Sequence, residues 1–67
     1  MSVGANIRER REKAGLTQEY VAEQADVSQV LLCRIEKGVL PPSLRVIASI
    51  AKTLGCTVDD LLKEESA

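Results

Sequence analysis

The sequence contains no histidine, no tryptophan and no phenylalanine, and its 67 residues include one tyrosine and two cysteines. The absence of histidine removes the commonest general base and the commonest metal ligand. Cys33 and Cys56 are too few for a disulfide scaffold or for a four-ligand zinc site, so we expect two free thiols. A chain this short also leaves little room for a catalytic pocket. We therefore expect neither an enzyme nor a bound metal or cofactor, and we assign no catalytic residue.

Long hydrophobic runs are also missing. The longest apolar stretch, residues 46–51, is interrupted by Ser49, whereas a membrane-spanning helix needs about 18 apolar residues. The first six residues lack the basic and apolar regions of a signal peptide, so we expect a cytoplasmic location and no membrane partner. With 45% hydrophobic and 28% charged residues, the composition is too apolar for intrinsic disorder. It indicates one small folded domain over residues 1–67.

Excess charge of either sign is small overall, since the formal net charge is −1. The distribution is uneven: residues 1–58 carry a net charge of +2, whereas the last nine residues carry −3. Four cations, Arg8, Arg10, Arg11 and Lys13, lie in the first predicted helix. Such asymmetry permits a basic surface on a nearly neutral protein.

Apolar periodicity and capping residues predict an all-α protein with five helices, and no strand-like alternation competes. We expect helices at about residues 3–14, 17–25, 28–37, 43–54 and 57–64. Hydroxyl residues suited to N-caps stand at Thr17, Ser28, Ser43 and Thr57. Glycines 15, 38 and 55 follow the first, third and fourth helices, where a left-handed residue commonly ends a helix.

The fourth helix has more apolar residues than one buried face requires. One side is predicted to present Leu44, Ile47, Ala48, Ala51 and Leu54, and a second strip contains Val46 and Ile50. Together with Val58 and Leu62 of the fifth helix, this second strip is predicted to form a homodimer interface. A core of this size without a disulfide or metal would gain from such burial.

The second and third predicted helices have the spacing of a helix-turn-helix unit. Two helices that cross closely over a short turn need a small residue at the crossing, and Ala22 stands there. The turn needs a residue that tolerates positive φ, and Asp26 is among the few residues other than glycine that do so. The inward positions are all apolar: Val21, Ala25, Val27, Leu32 and Ile35. Another helical bundle would share the periodicity, but it would not explain why all these features occur in register.

Several segments together resemble the Cro/repressor-type helix-turn-helix family, also called the XRE family. They are Ile7-Arg8-Glu9-Arg10-Arg11, Gly15-Leu16-Thr17-Gln18, Val27-Ser28-Gln29, Arg34-Ile35-Glu36-Lys37-Gly38 and residues 54–62. The resemblance covers nearly the whole chain. It implies a compact five-helix bundle like that of lambda repressor. It also implies a dimeric transcriptional regulator, typically a repressor, that binds palindromic sites on double-stranded DNA.

The resemblance also implies roles for individual residues. The residues expected to contact bases in the major groove are Gln18, Gln29, Val30 and Arg34. Those expected to contact the DNA backbone are Thr17, Ser28, Lys37 and Ser43. Arg11 and Glu36 stand where the family has an ion pair between the first helix and the end of the third. Independently, a glutamine amide suits adenine and an arginine fork suits guanine.

The chain departs from the family pattern at four positions near the expected DNA face, where Val30, Leu31, Val39 and Leu40 are apolar. Such residues could contact thymine methyl groups. They could equally form an apolar patch that binds a regulatory protein. An alternative function therefore stays open, in which the helix-turn-helix serves mainly as a protein-interaction module or an antitoxin-like partner.

Overall fold

The computed structural model describes residues 2–63, which form five helices and no strand. The helices are α1 (Val3–Lys13), α2 (Gln18–Ala25), α3 (Gln29–Glu36), α4 (Leu44–Leu54) and α5 (Val58–Leu62). The predicted all-α fold with five helices is confirmed. Helix α1 packs against α3, α4 and α5, whereas α2 packs against α3 and α4.

Each helix begins directly after a serine or threonine whose hydroxyl accepts a hydrogen bond from the first turn. The caps are Ser2, Thr17, Ser28, Ser43 and Thr57. The predicted N-caps Thr17, Ser28, Ser43 and Thr57 are confirmed, and each helix proper begins one residue later because a cap residue has extended backbone. Helix α5 ends at Leu62 and Lys63 is extended. The predicted last helical position, residue 64, lies outside the described residues.

The turn between α2 and α3 depends on a left-handed residue. Asp26 has φ 59° and ψ 45° and ends α2. This conformation lets the Val27 backbone N–H donate to the Ala22 carbonyl at 2.9 Å, so α2 ends within two residues and α3 can start at once. The predicted left-handed role of Asp26 is confirmed.

The core consists of ten buried apolar side chains contributed by all five helices. They are Ile7, Val21, Ala22, Ala25, Leu32, Ile35, Ile47, Ile50, Ala51 and Leu61. This core corrects one expectation about the dimer strip. Ile50 is 0% exposed, so it belongs to the core of the single chain and cannot contact a second copy.

The buried face of α4 is therefore rotated relative to the sequence prediction. Leu44, expected to be buried, is 69% exposed, and Ala48 is exposed as well. Ile47, Ile50 and Ala51 form the buried stripe. Periodicity alone did not distinguish two overlapping apolar strips, and the docking of α4 against α2 decided which of them faces inward.

Gly4 allows α1 and α3 to approach closely. A Cβ atom at this position would overlap the Ile35 carbonyl oxygen and crowd the backbone of Glu36. The glycine is therefore required by backbone contact and not by a turn, since it lies inside α1 with helical conformation. Helix packing of this kind tolerates only glycine at the contact.

A nearly buried ion pair joins α1 to the last turn of α3. Arg11 Nε donates to Glu36 Oε2 at 2.8 Å and Arg11 Nη2 donates to Glu36 Oε1 at 3.0 Å. The side chains are only 12% and 2% exposed, respectively. Arg11 Nη1 also donates to the Leu16 carbonyl at 2.9 Å, which ties the loop before α2 to the same group. The hydrogen bonding to Glu36 raises the pKa of Arg11 above its ordinary value, so the guanidinium remains charged.

We expect Glu36→Gln to lower the free energy of unfolding by about 3 kcal/mol, because it leaves a mostly buried guanidinium without its counter-charge. Urea unfolding followed by circular dichroism measures this loss.

The matched control is Glu12→Gln, which removes the same charge from an ion pair on the surface of α1. Arg8 and Glu12 are 61% and 56% exposed, and exposed pairs contribute about 0–1 kcal/mol. Equal stability of the two variants would contradict a structural role for the Arg11–Glu36 pair.

Candidate nucleic-acid interface

Helix α3 divides into a buried side and an exposed side. At about 100° per residue, Leu32, Ile35 and Glu36 share one side and are all buried. The opposite side spans about 140° from Gln29 to Arg34. We call this exposed side the α3 arc; it contains Gln29, Val30, Cys33, Arg34 and Lys37.

The α3 arc places four of the eight predicted DNA-contacting residues on one surface. Gln29, Arg34 and Lys37 are exposed, and the Val30 side chain is 61% exposed. An arc with a glutamine, an arginine, a lysine and an apolar side chain can offer hydrogen bonds and methyl contacts to base edges. It is the only side of α3 free of core contacts.

Sequence reasoning did not assign a role to Cys33, which lies in the middle of the α3 arc and is half-buried. The other thiol, Cys56, is also half-buried but packs against the core before α5. Burial raises the pKa of the Cys56 thiol, an effect that Arg10 opposes and Asp60 reinforces. Chemical modification of the two thiols therefore probes two different parts of the molecule.

Three predicted backbone-contacting residues are exposed N-caps. Thr17, Ser28 and Ser43 accept hydrogen bonds from backbone N–H groups at 3.0, 3.0 and 3.2 Å. A hydroxyl that accepts in this way still has its own proton to donate. The N-termini of α2, α3 and α4 therefore each present a hydroxyl donor beside the positive end of a helix dipole, which suits a phosphate.

Gln18 is the first residue of α2 and is half-buried. Its Nε2 donates to Glu36 Oε1 at 3.0 Å, so the side chain is held by the Arg11–Glu36 pair. One amide hydrogen and the carbonyl oxygen remain for another partner. Sequence reasoning assigned Gln18 to base contact and did not identify this structural hydrogen bond, which depends on a residue 18 positions away.

The four apolar residues noted near the expected DNA face do not behave alike. Leu31 is half-buried and packs against the core, so it is not free to contact DNA or a partner with its whole side chain. Val39 is 70% exposed and Leu40 is 39% exposed. The loop between α3 and α4 therefore presents an exposed apolar side chain at Val39, whereas Leu40 lines an open groove with Val3, Gly4 and Ile35 at the start of α1.

A further cation, Arg45, lies near the N-terminus of α4 and was not assigned from the sequence. It is exposed and lines an open groove with Ser43, Val27 and Leu31. Arg34, Lys37 and Arg45 are thus exposed cations of α3, its C-terminal end and α4. Within residues 2–63, every buried side-chain nitrogen or oxygen has a hydrogen-bond partner. No buried polar atom of this groove is therefore left to bind a ligand.

The described residues contain neither a cluster of metal ligands nor a membrane-spanning helix. Across residues 2–63, no group of three histidine, cysteine, aspartate or glutamate side chains is placed to hold a metal ion. Among the five helices described, none has the length and apolar character needed to cross a membrane.

Comparison with known proteins agrees with this geometry. The family model described as Helix-turn-helix matches residues 7–61. The chain is 38% identical over 63 residues to the HTH-type transcriptional regulator DdrOP3 of Deinococcus deserti, covering 94% of this chain and 49% of that protein. It is 36% identical over 66 residues to the immunity repressor protein of Bacillus phage phi105, covering 98% and 46%. The chain thus spans about half the length of these two relatives.

A solved structure has the same fold. The P22 c2 repressor, crystallised with a synthetic operator, superposes with a TM-score of 0.88 at 29% identity, over 97% of this chain and 98% of that chain. Fold, family model and relatives agree. The chain belongs to the XRE-type helix-turn-helix family of DNA-binding transcription regulators.

Proposed function

We propose that this protein is a sequence-specific transcriptional repressor that binds palindromic operator sites as a homodimer, with α3 in the major groove. The observation that carries the proposal is the α3 arc, which presents Gln29, Val30 and Arg34 together on the one exposed side of α3. Helix-turn-helix proteins insert the second helix of the unit in this way.

The chemistry of the α3 arc supports base reading. The Gln29 amide has a donor and an acceptor that match N6 and N7 of adenine, and the Arg34 fork matches O6 and N7 of guanine. Val30 supplies an apolar surface that suits a thymine methyl group. Gln29 lies in the first turn of α3 and Arg34 in the second, so we expect them to read different base pairs.

Backbone anchoring in this proposal relies on helix ends as much as on cations. The hydroxyls of Thr17, Ser28 and Ser43 and the adjacent N–H groups bind phosphates, with Lys37 and Arg45 adding charge. Gln18 is proposed to contact a base from the start of α2, where Glu36 fixes its amide. Few neutralised phosphates imply a shallow dependence of affinity on salt.

Dimerisation in this proposal uses Val46, Val58 and Leu62. Val46 and Val58 are partly buried at the edge of the core, and Leu62 is 45% exposed. A two-fold axis through this strip would place two copies of α3 about 34 Å apart, one turn of DNA. Repression, rather than activation, is inferred from the similarity of this chain to the phage immunity repressor and the P22 c2 repressor.

We expect Gln29→Ala and Arg34→Ala each to weaken operator binding by about 1–3 kcal/mol and to relax preference at one or two base positions. Lys37→Ala should weaken binding to all sequences alike and reduce the salt slope by about one. Selection of bound fragments from random DNA provides the operator, and fluorescence anisotropy at several salt concentrations measures both effects.

Each variant must melt near the wild-type temperature for this comparison. The proposal fails if Gln29→Ala and Arg34→Ala keep full operator affinity. If Val30→Asp or Leu40→Asp then abolishes binding of a protein partner, the exposed apolar surface is a protein-docking face and the alternative function is correct.

The two native cysteines offer a test that needs no substitution. We expect operator DNA to slow alkylation of Cys33 by N-ethylmaleimide at least about tenfold, because Cys33 lies within the α3 arc that would face the groove. Cys56 serves as the internal control, and at a protein concentration that already gives the dimer its reaction should not change with DNA. Peptide mass spectrometry reads both sites in one sample, and equal protection of the two thiols would argue against binding through the α3 arc.

For the dimer, we expect sedimentation equilibrium to show a species of twice the monomer mass at high micromolar concentration. Leu62→Ser should shift it toward monomer, since it removes apolar area from the proposed strip. Tyr20→Ser is the matched control: Tyr20 is 48% exposed and Leu62 is 45% exposed, but Tyr20 lies on α2 outside the strip. A wild-type chain that remains monomeric with and without operator DNA refutes the dimer.

A further inference from the structure

Helix α5 is held at its end by one side chain of α1. Asn6 Nδ2 donates to the Leu61 carbonyl at 2.8 Å and to the Lys63 carbonyl at 2.9 Å. Both hydrogens of one amide thus satisfy two backbone oxygens that lie at the C-terminal end of α5. Helix ends leave their last carbonyls without intrahelical partners, and here a residue 55 positions earlier supplies the donors.

Helix α5 needs such support because it has only five residues. Isolated helices shorter than about 12 residues are marginal in water even with favourable sequences. Its first turn has a capping box, in which Thr57 and Asp60 exchange hydrogen bonds at 3.0 and 3.1 Å. Hydrogen bonds to the Asp60 carboxyl from the backbone N–H and then the side chain of Thr57 lower its pKa, and the capping box fixes only the start of the helix.

The other polar link between α1 and α5 is weaker. Arg10 Nη2 lies 3.9 Å from Asp60 Oδ1, and both side chains are well exposed, at 45% and 38%. Leu61 is fully buried and Val58 packs against the core, but such apolar contacts are non-directional. Among the contacts described, Asn6 is therefore the directional constraint at the end of α5.

We infer that Asn6 is a positioning residue for the dimer interface. By holding the carbonyls of Leu61 and Lys63, it sets the rotation of α5 and so keeps Leu62 exposed, with Val58 one turn earlier at the margin of the core. This inference rests on the proposed dimer. It assigns to α1 a role in dimerisation, although α1 contributes no residue to the proposed strip.

The test compares Asn6→Ala and Asn6→Asp with wild type in the full chain. Alanine removes both donors and favours helix more than asparagine does. Aspartate keeps the shape of asparagine but faces the two carbonyls with a carboxylate that cannot donate. Neither change weakens α1 itself through propensity or dipole, so a local loss at α5 reports on the missing donors. If the aspartate variant does not fold, the alanine variant decides.

Two measurements are made on each variant: hydrogen exchange of backbone amides and sedimentation equilibrium. In Asn6→Ala we expect exchange at the Leu61 and Leu62 amides to accelerate about tenfold relative to amides of α2 and α3, and the dimer dissociation constant to rise about tenfold. The control is Arg8→Ala, which removes an exposed polar side chain from α1 two residues away. It should change neither quantity.

The outcomes separate this inference from the proposed function. If the wild-type chain dimerises and both Asn6 variants dimerise equally well, the positioning role is overturned. Uniform acceleration of exchange in all helices would also overturn it, because that pattern indicates general destabilisation. A wild-type chain that sediments as a monomer would overturn the dimer itself, and the positioning role with it.

Discussion

The pairing of Arg11 with Glu36 is the interaction on which the arrangement of the first three helices depends. A carboxylate that is 2% exposed must be matched by donors, because an unpaired buried charge is very costly. Arg11 provides two of these donors and Gln18 provides the third. The geometry of one carboxylate thereby relates the last turn of α3 to α1 and to the N-terminus of α2.

The same pairing decides which way α3 faces. Because Glu36 is directed into the protein with Leu32 and Ile35, the opposite side of this eight-residue helix must face outward. The close approach at Gly4 adds a second constraint, since the α3 backbone contacts α1 without an intervening side chain. A helix held at its carboxylate and by its backbone presents the α3 arc in one orientation, and fixed orientation is what base recognition requires.

The helices expected to face DNA carry few exposed cations. The exposed cations of α3, its C-terminal end and α4 are Arg34, Lys37 and Arg45, and Val30 and Val39 are 61% and 70% exposed. Three capped helix N-termini supplement these cations with oriented dipoles and hydroxyl donors. This combination is consistent with a DNA-binding domain whose net charge is −1, because local fields, and not net charge, act on a ligand held in contact.

What the sequence by itself determined is local in space and along the chain. Caps act within three residues, and the left-handed conformation of Asp26 or Gly55 depends on that residue's own backbone, so periodicity and residue type were sufficient to predict five helices and their turns. Only the tertiary structure decided that Ile50 is buried while Leu44 is exposed, and that Asn6 binds the end of α5. These outcomes depend on how helices rotate and cross, and such geometry joins residues up to 57 positions apart. The physical reason is that hydrophobic periodicity defines an apolar face only to within one neighbouring strip, whereas packing and hydrogen bonds between helices select a single rotation.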